Sequence, residues 1–146
     1  MIRYVRGDLF DSKAQTLVNP VNCRGVMGKG LAKVFKDRWP EMFRQYQEAC
    51  KKGEVRPGTP LLFVGDDRKI LSVPTKDDWK KPSTLEMVEA GLKAIRERYR
   101  AWGITSIAMP ALGCGLGGLE WSQVRPLIET HLADLPIGIE VYEPLA

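Results

Sequence analysis

The feature that most limits the fold of this 146-residue chain is an alternation of short apolar runs with helical patterns. The runs are rich in Val, Ile and Leu and are bounded by turn residues, which is typical of β-strands. Strands that alternate with helices form a largely parallel sheet with helices on both faces, so we predict an α/β fold. The predicted strands are Ile2–Val5, Thr16–Asn19, Leu61–Val64, Ile70–Val73, Ser106–Met109 and Ile137–Tyr142, and the predicted helices are Gly30–Trp39, Met42–Lys52, Leu85–Trp102 and Trp121–Leu132.

The strongest helical pattern lies between Leu85 and Trp102. Its apolar side chains recur every three or four residues, which gives one buried stripe. Ser83 and Glu86 have the spacing of a capping box at its start, and Gly103 marks its end. Pro40 separates the two earlier helices, because a helix usually ends before a proline.

Composition excludes several classes of protein. The chain has 22 Lys+Arg against 18 Asp+Glu, a net charge of +4, and 44% hydrophobic residues, which is typical of a folded globular domain. It has neither a signal peptide nor an apolar run long enough for a membrane span, so we expect a cytoplasmic, membrane-free protein. One histidine, His131, and three separated cysteines give no metal-site spacing. We therefore expect no metal, no cofactor, free thiols and a structural role for His131.

Three loops that follow predicted strands carry unusual residues, and ligands bind at the carboxyl ends of strands in parallel sheets. In the glycine loop (residues 113–118), four glycines in six positions free the backbone N–H groups to converge on an anion such as a diphosphate. The helix after it is expected to add the positive end of its dipole. A dinucleotide fingerprint also fits this run, with Glu140 downstream, but too little chain follows for a second half of that fold. Cys114 has no His base nearby and is interpreted as an apolar filler.

The asparagine loop (residues 19–32) follows the second predicted strand. The amides of Asn19 and Asn22 can donate and accept hydrogen bonds to a sugar hydroxyl. Gly25, Gly28 and Gly30 allow the backbone to approach a ligand just before a helix begins. Turn formation is the commoner role for such asparagines, but a second Gly-rich loop makes ligand binding the better interpretation.

The lysine loop (residues 75–83) holds three lysines, two aspartates and Trp79. Its composition alone favours a solvated, charged loop. However, a lysine beside another cation has a lowered pKa, so more of it is the neutral, nucleophilic amine at pH 7. Lys80 and Lys81 are adjacent in this way.

Together with Gly7–Phe10, these three loops resemble the macrodomain family, and the resemblance covers essentially the whole chain. It implies a three-layer α/β/α sandwich with a mostly parallel sheet that binds ADP-ribose. The early turn would contact adenine, the asparagine loop the distal ribose, and the glycine loop the diphosphate. The ligand contacts it implies are Asp8, Leu9, Asn19, Val21, Asn22, Gly28, Gly30, Leu31, Thr75, Gly113, Cys114, Gly115, Leu116 and Gly117.

Within that family the chain is most similar to terminal ADP-ribose glycohydrolases and to DNA ADP-ribosyl glycohydrolases of the DarT–DarG toxin–antitoxin type. Residues 28–36 replace a triple-glycine loop, and the lysine loop looks like the catalytic-lysine loop of this subgroup. The resemblance implies catalysis by Lys80, or alternatively Lys81, at the distal ribose, with Asn22 orienting its hydroxyls. Gly117 stands where protein-directed members carry a catalytic aspartate, which favours the DNA-directed branch.

The sequence therefore predicts a single macrodomain over residues 1–146, either a whole protein or the N-terminal part of a longer antitoxin. The predicted activity is removal of ADP-ribose from thymidine in single-stranded DNA, by a monomer partnered with an ADP-ribosyltransferase toxin. Trp79 could stack on a base or anchor its loop. The alternatives are a non-catalytic ADP-ribose reader, a hydrolase of protein-linked ADP-ribose or O-acetyl-ADP-ribose, and a nicotinamide-dependent oxidoreductase. The basic side chains expected to hold DNA phosphates are Lys29, Lys33, Lys36, Lys76 and Lys81.

Overall fold

The computed structural model describes residues 1–144, so the predicted domain end at residue 146 lies outside the described residues. None of its helices is long and apolar enough to cross a membrane. A single 3₁₀ turn, Leu9–Asp11, follows the first strand. The elements are strands β1 (Ile2–Val5), β2 (Thr16–Val21), β3 (Leu61–Val64), β4 (Lys69–Pro74), β5 (Ser106–Pro110) and β6 (Gly138–Tyr142), and helices α1 (Gly30–Arg38), α2 (Pro40–Lys51), α3 (Leu85–Arg98) and α4 (Trp121–Leu132).

The six strands form one sheet in the order β1-β6-β5-β2-β4-β3. All neighbours are parallel except β3, which pairs antiparallel with β4 at the edge. The predicted, mostly parallel α/β fold is confirmed, and the edge hairpin is the one antiparallel pair of strands among residues 1–144.

Successive residues of a strand point to opposite faces of the sheet, and here the residues on both faces are apolar. Helices therefore cover both faces. Val18 and Leu71 pack with the apolar faces of α3 and α4. Their neighbours Leu17 and Ile70 point to the other face and pack with α1 and α2. All four side chains are fully buried. The result is the predicted three-layer α/β/α sandwich.

The strands β2 and β5 separate toward their carboxyl ends. β2 pairs with β5 only through Thr16 and Leu17, but with β4 along its whole length. After β2 the chain continues to β3 and β4 on one side of the gap, and after β5 it continues to β6 on the other side. The gap is therefore a topological switch point of the sheet. Ligands bind at such points in open α/β sheets. Pro20, which has no N–H to donate, lies where β2 has a neighbour on one side only. The strand therefore continues past the predicted end at Asn19.

The ends of α3 differ from the prediction. Thr84, and not Ser83, caps the helix, since its Oγ1 accepts the N–H of Met87 at 3.2 Å. The predicted capping box is thus wrong by one residue, because Ser83 is buried and bonded elsewhere. The helix ends at Arg98, four residues before Trp102, and Gly103 closes the following turn with φ +67°.

His131 lies on α4, away from the loops at the carboxyl edge of the sheet. Its Nε2 is 2.9 Å from Oε2 of Glu89 on α3. The contact joins two helices that cover the same face, in agreement with the structural role predicted for this histidine.

Candidate functional site

A cleft of about 930 Å³ runs along the carboxyl edge of the sheet. Its lining residues fall within the segments that follow all five parallel strands, namely residues 7–9, 20–32, 75–83, 110–117 and 142–144. From β1 to β4 the cleft crosses four strand spacings of ~4.8 Å, or about 19 Å. The cleft therefore has the size and the elongated shape needed for a dinucleotide-sized ligand.

Nearly all the predicted ligand contacts lie in this one cleft. Asn19 is an exception: it is fully buried, its Nδ2 lies 3.7 Å from Sδ of Met27, and it does not line the cleft. Lys80 lines the cleft, whereas Lys81 does not. The predicted residues that do line it are Asp8, Leu9, Val21, Asn22, Gly28, Gly30, Leu31, Thr75, Gly113, Cys114, Gly115, Leu116 and Gly117.

Asn22 is largely occupied in shaping its own loop. Its Oδ1 accepts the N–H of Arg24 at 2.9 Å, and its Nδ2 donates to the carbonyl of Val26 at 2.7 Å. The hydroxyl of Tyr46, fully buried beneath the loop, lies 2.7 Å from the carbonyl oxygen of Asn22 and 2.9 Å from its Oδ1. Burial raises the pKa of Tyr46, so this hydroxyl keeps its proton and remains a donor. One amide N–H of Asn22 is left for a ligand.

The N-terminus of α1 forms part of the cleft wall. Lys29 is the N-cap residue and makes no side-chain cap, so the first N–H groups of the helix have no partner within it. Gly30, Leu31 and Ala32, which carry these N–H groups, all line the cleft. A helix N-terminus attracts anions. The helix dipole was expected from α4, after the glycine loop; that expectation is wrong, because the helix that lines the cleft is α1.

The glycine loop lies opposite α1 across the cleft. Gly113 and Gly118 have φ of +76° and +82°, which only glycine adopts without strain. The carbonyl of Gly113 accepts the N–H of Leu119 at 2.9 Å and closes the loop. Among the described residues, the N–H groups of residues 115–117 have no backbone partner. They are therefore available to a ligand anion.

Leu116 connects the two glycine-containing walls. Its side chain is 71% exposed, yet a Cβ placed on Gly30 would lie 3.0 Å from its Cδ1. The glycine loop and the asparagine loop therefore approach each other above the cleft. Gly30 also has φ +58°, so both its backbone and the space beside it favour glycine.

The lysine loop is anchored on both sides at its start. Thr75 is 2% exposed; its N–H donates to Val21 at 2.9 Å, and its carbonyl accepts the N–H of Thr84 at 3.2 Å. Further along, the N–H of Cys23 donates to the carbonyl of Asp77 at 3.0 Å. The backbone on either side of Lys76 is therefore fixed by neighbouring elements.

The three lysines of this loop differ in surroundings. Lys76 is half-buried and lines the cleft. Lys80 also lines it, but is exposed, and its Nζ lies 5.2 Å from the ring centroid of Trp79. A turn closed by Asp78, whose carbonyl accepts the N–H of Lys81 at 3.0 Å, leaves Lys81 outside the lining. Sequence reasoning had given Lys76 only a role in the basic surface.

Charge is unevenly distributed along the cleft. The lining carboxylates, Asp8 and Glu143, follow β1 and β6. The lining lysines, Lys29, Lys76 and Lys80, follow β2 and β4. One end of the cleft is therefore acidic and the other basic, with the glycine loop between them. Glu143 was not predicted, because it follows the last strand and belongs to none of the three loops.

Cys114 lines the middle of the cleft. Burial raises the pKa of its thiol to about 11. The thiol is therefore neutral at pH 7 and is a poor nucleophile, which agrees with its interpretation as a small apolar filler.

Known proteins resemble this chain along its whole length. The Macro domain family model matches residues 18–128. The DNA ADP-ribosyl glycohydrolase of Mycobacterium tuberculosis is 43% identical over 151 residues, which cover 99% of this chain and 42% of that protein. The macrodomain of Thermus aquaticus DarG superposes with a TM-score of 0.93 at 41% identity, covering 99% of both chains. Thermosipho africanus DarTG in complex with ADP-ribose superposes with a TM-score of 0.95 at 44% identity, covering 99% of this chain and 42% of that one. The chain thus spans about two fifths of the length of its DNA ADP-ribosyl glycohydrolase relatives.

Proposed function

This chain belongs to the macrodomain family, and on that premise we propose that it is an ADP-ribosyl glycohydrolase acting on thymidine-linked ADP-ribose in single-stranded DNA. The observation that carries the proposal is the order of groups along the cleft: carboxylates, then unpaired backbone N–H groups, then lysines. The names of its relatives support DNA as the carrier of the modification. As antitoxin of a DarT–DarG pair, it would reverse the product of an ADP-ribosyltransferase.

The order of the loops gives the orientation of the ligand. Adenine, whose exocyclic amine is a donor, suits the acidic end, where Asp8 uses only its Oδ1 to accept the N–H of Phe10 at 2.9 Å. The diphosphate suits the glycine loop and the N-terminus of α1. The distal ribose then reaches the asparagine and lysine loops. Its hydroxyls can accept the remaining N–H of Asn22.

The reaction breaks the bond between the anomeric carbon of the distal ribose and a ring nitrogen of thymine, and adds water across it. A neutral lysine amine can attack the anomeric carbon, and water then displaces the lysine. The pyrimidine leaves as an imide anion, delocalised over two carbonyls, and takes a proton from solvent or from a neighbouring ammonium. Both lining carboxylates belong to the other end of the cleft, so a leaving group that needs no carboxylic acid suits this site.

We propose that the reacting lysine is one of the two that line the cleft, Lys76 and Lys80. The family resemblance favours Lys80, with Lys81 as its alternative, and of these two only Lys80 lines the cleft. Lys76 is the better positioned: it is half-buried and directly follows the anchored, buried Thr75. A group that must meet one carbon atom benefits from a rigid support, and an exposed side chain beside Trp79 has less of it.

The DNA strand is expected along the basic rim of the cleft. Trp79 is 49% exposed at this rim and can stack on any base. The exposed Lys29 and Lys80 can neutralise strand phosphates, whereas Lys33 is paired with Asp37 at 2.8 Å. A single strand meets these requirements because its bases are free to stack.

The test uses a single-stranded oligonucleotide carrying ADP-ribosyl-thymidine, incubated with wild type and with Lys76→Ala, Lys80→Ala and Lys81→Ala. We expect wild type to release ADP-ribose, and one of the first two variants to lose release. Lys81→Ala is the matched control from the same loop and should keep release. Full release by all three variants would overturn the lysine mechanism. Binding of ADP-ribose by wild type without release would favour a reader, and protein-linked ADP-ribose would then be the substrate to try.

A further inference from the structure

Ser83 joins the lysine loop to the glycine loop. It is 4% exposed, yet it lines the cleft. Its backbone N–H donates to the carbonyl of Gly117 at 3.0 Å. Its hydroxyl lies 3.4 Å from Oγ1 of Thr75, the residue before Lys76. One buried residue thus contacts the anion-binding loop through its backbone N–H and the anchor of a cleft lysine through its hydroxyl.

The same hydroxyl fills the space beside Gly117. A Cβ placed on Gly117 would overlap Oγ of Ser83 and would come within 2.5 Å of the carbonyl oxygen of Gly113. Gly115, in the same loop, has no atom within 4 Å of such a Cβ. The requirement for glycine is therefore specific to position 117, and Ser83 is one of its two causes. A side chain at that position, a carboxylate included, would require Ser83 and the carbonyl of Gly113 to shift.

We propose that Ser83 is a positioning residue that holds the side chain of Thr75, which lines the cleft next to Lys76, in a fixed relation to the glycine loop. The turnover part of this inference rests on the proposed glycohydrolase activity, whereas the packing part does not. Ser83 donates to the hydroxyl oxygen of Thr75, so the hydroxyl proton of Thr75 is not used in this bond. Because Thr75 lines the cleft, that proton can be donated to a group in the cleft. Without the hydroxyl of Ser83, the buried side chain of Thr75 loses its partner and can rotate.

The first experiment compares Ser83→Ala with wild type for ADP-ribose affinity and for turnover of the ADP-ribosylated oligonucleotide. The backbone bond to Gly117 remains, so we expect the affinity to change less than about threefold. Turnover should fall roughly 10- to 100-fold, because the Thr75 side chain beside the reacting lysine is no longer held in one rotamer. Ser83→Thr keeps a hydroxyl and should restore turnover. Ser122→Ala, an exposed serine at the start of α4, is the control. Equal losses of affinity and turnover in Ser83→Ala would show a merely structural role and overturn the inference.

The second experiment needs no ligand and separates this inference from the proposed function. The urea midpoint is measured for wild type, Ser83→Ala, Gly117→Ala and the double variant. If Ser83 fills the space beside Gly117, the midpoint shift caused by Gly117→Ala should fall by about half in the Ser83→Ala background, because one of its two overlaps is gone. Additive shifts would contradict the packing argument. A wild-type protein without turnover would refute the proposed function, while this cycle would still report on Ser83.

Discussion

The glycine loop and the lysine loop flank the asparagine loop in the cleft, but they supply different chemistry. The glycine loop offers unpaired backbone N–H groups, so its function depends on the absence of side chains. The lysine loop offers side chains on a backbone that Val21, Cys23 and Thr84 hold in place. Substitutions should therefore harm the first loop by what they add and the second by what they remove.

The largest effect is expected from adding a methyl group to the glycine loop. Gly117→Ala should lower the free energy of unfolding by about 3 kcal/mol, because its Cβ overlaps two neighbours. Gly115→Ala is the matched control and should cost less than about 0.5 kcal/mol, since its Cβ points into open space. Urea denaturation measures both. Equal costs at the two positions would contradict the packing of residue 117 described above.

The next effect concerns the rim of the lysine loop. Trp79→Ala should weaken binding of an ADP-ribosylated oligonucleotide by about tenfold or more, which corresponds to loss of one base stack. Its affinity for free ADP-ribose should stay unchanged, because free ADP-ribose has no flanking base. Trp79→Phe keeps an aromatic face and serves as the control. A loss of both affinities would indicate that Trp79 instead supports the fold of the loop. Fluorescence anisotropy and calorimetry give the two numbers.

A smaller effect is expected beneath the asparagine loop that separates the other two. Tyr46→Phe removes the buried hydroxyl that bonds Asn22, and should cost about 1 kcal/mol of stability. Tyr99→Phe is a suitable comparison, because the hydroxyl of Tyr99 accepts a bond from the exposed Arg100. Urea midpoints that shift equally for both variants would argue against a special role for Tyr46.

The smallest effect is expected at Cys114, the one titratable side chain of the glycine loop. Its raised pKa, about 11, means that the thiol is neutral below that pH. Alkylation of Cys114 by iodoacetamide should therefore speed up about tenfold per pH unit from pH 7 toward pH 11, since only the thiolate reacts. Peptide mass spectrometry follows the modification. Rapid alkylation at pH 7, or loss of turnover in Cys114→Ser, would show that a side chain of this loop takes part in the reaction, contrary to this prediction.

Much of this architecture could be predicted from the sequence. The strands, the three layers and the glycine loop follow from local patterns, because apolar periodicity and glycine density are properties of neighbouring residues. Asn19 and Asn22 could not be told apart in this way. Their roles depend on β2 continuing past Pro20, which buries Asn19, and on Tyr46 reaching Asn22 from α2.

The positions of the three lysines and of Ser83 relative to the cleft could not be predicted from local sequence patterns, for a related reason. Whether Lys76, Lys80 or Lys81 lines the cleft depends on the anchoring of Thr75 and on a turn at Asp78. Ser83 is buried against Gly117, 34 positions later in the chain. The residue that caps α3 is therefore Thr84, and not Ser83 as the local pattern had predicted. Such contacts form only when distant segments meet at the edge of the sheet.

The most direct test of the contrast between the two loops measures ADP-ribose affinity and release from the ADP-ribosylated oligonucleotide in the same three variants. Lys76→Ala and Lys80→Ala should both bind ADP-ribose within about threefold of wild type, and one of them should release none, because a reacting group contributes to the transition state and little to ground-state binding. Gly117→Ala should lose affinity and release together. Lysine variants that lose affinity as severely as Gly117→Ala, or that both release ADP-ribose at the wild-type rate, would contradict the division between a loop that binds and a loop that reacts.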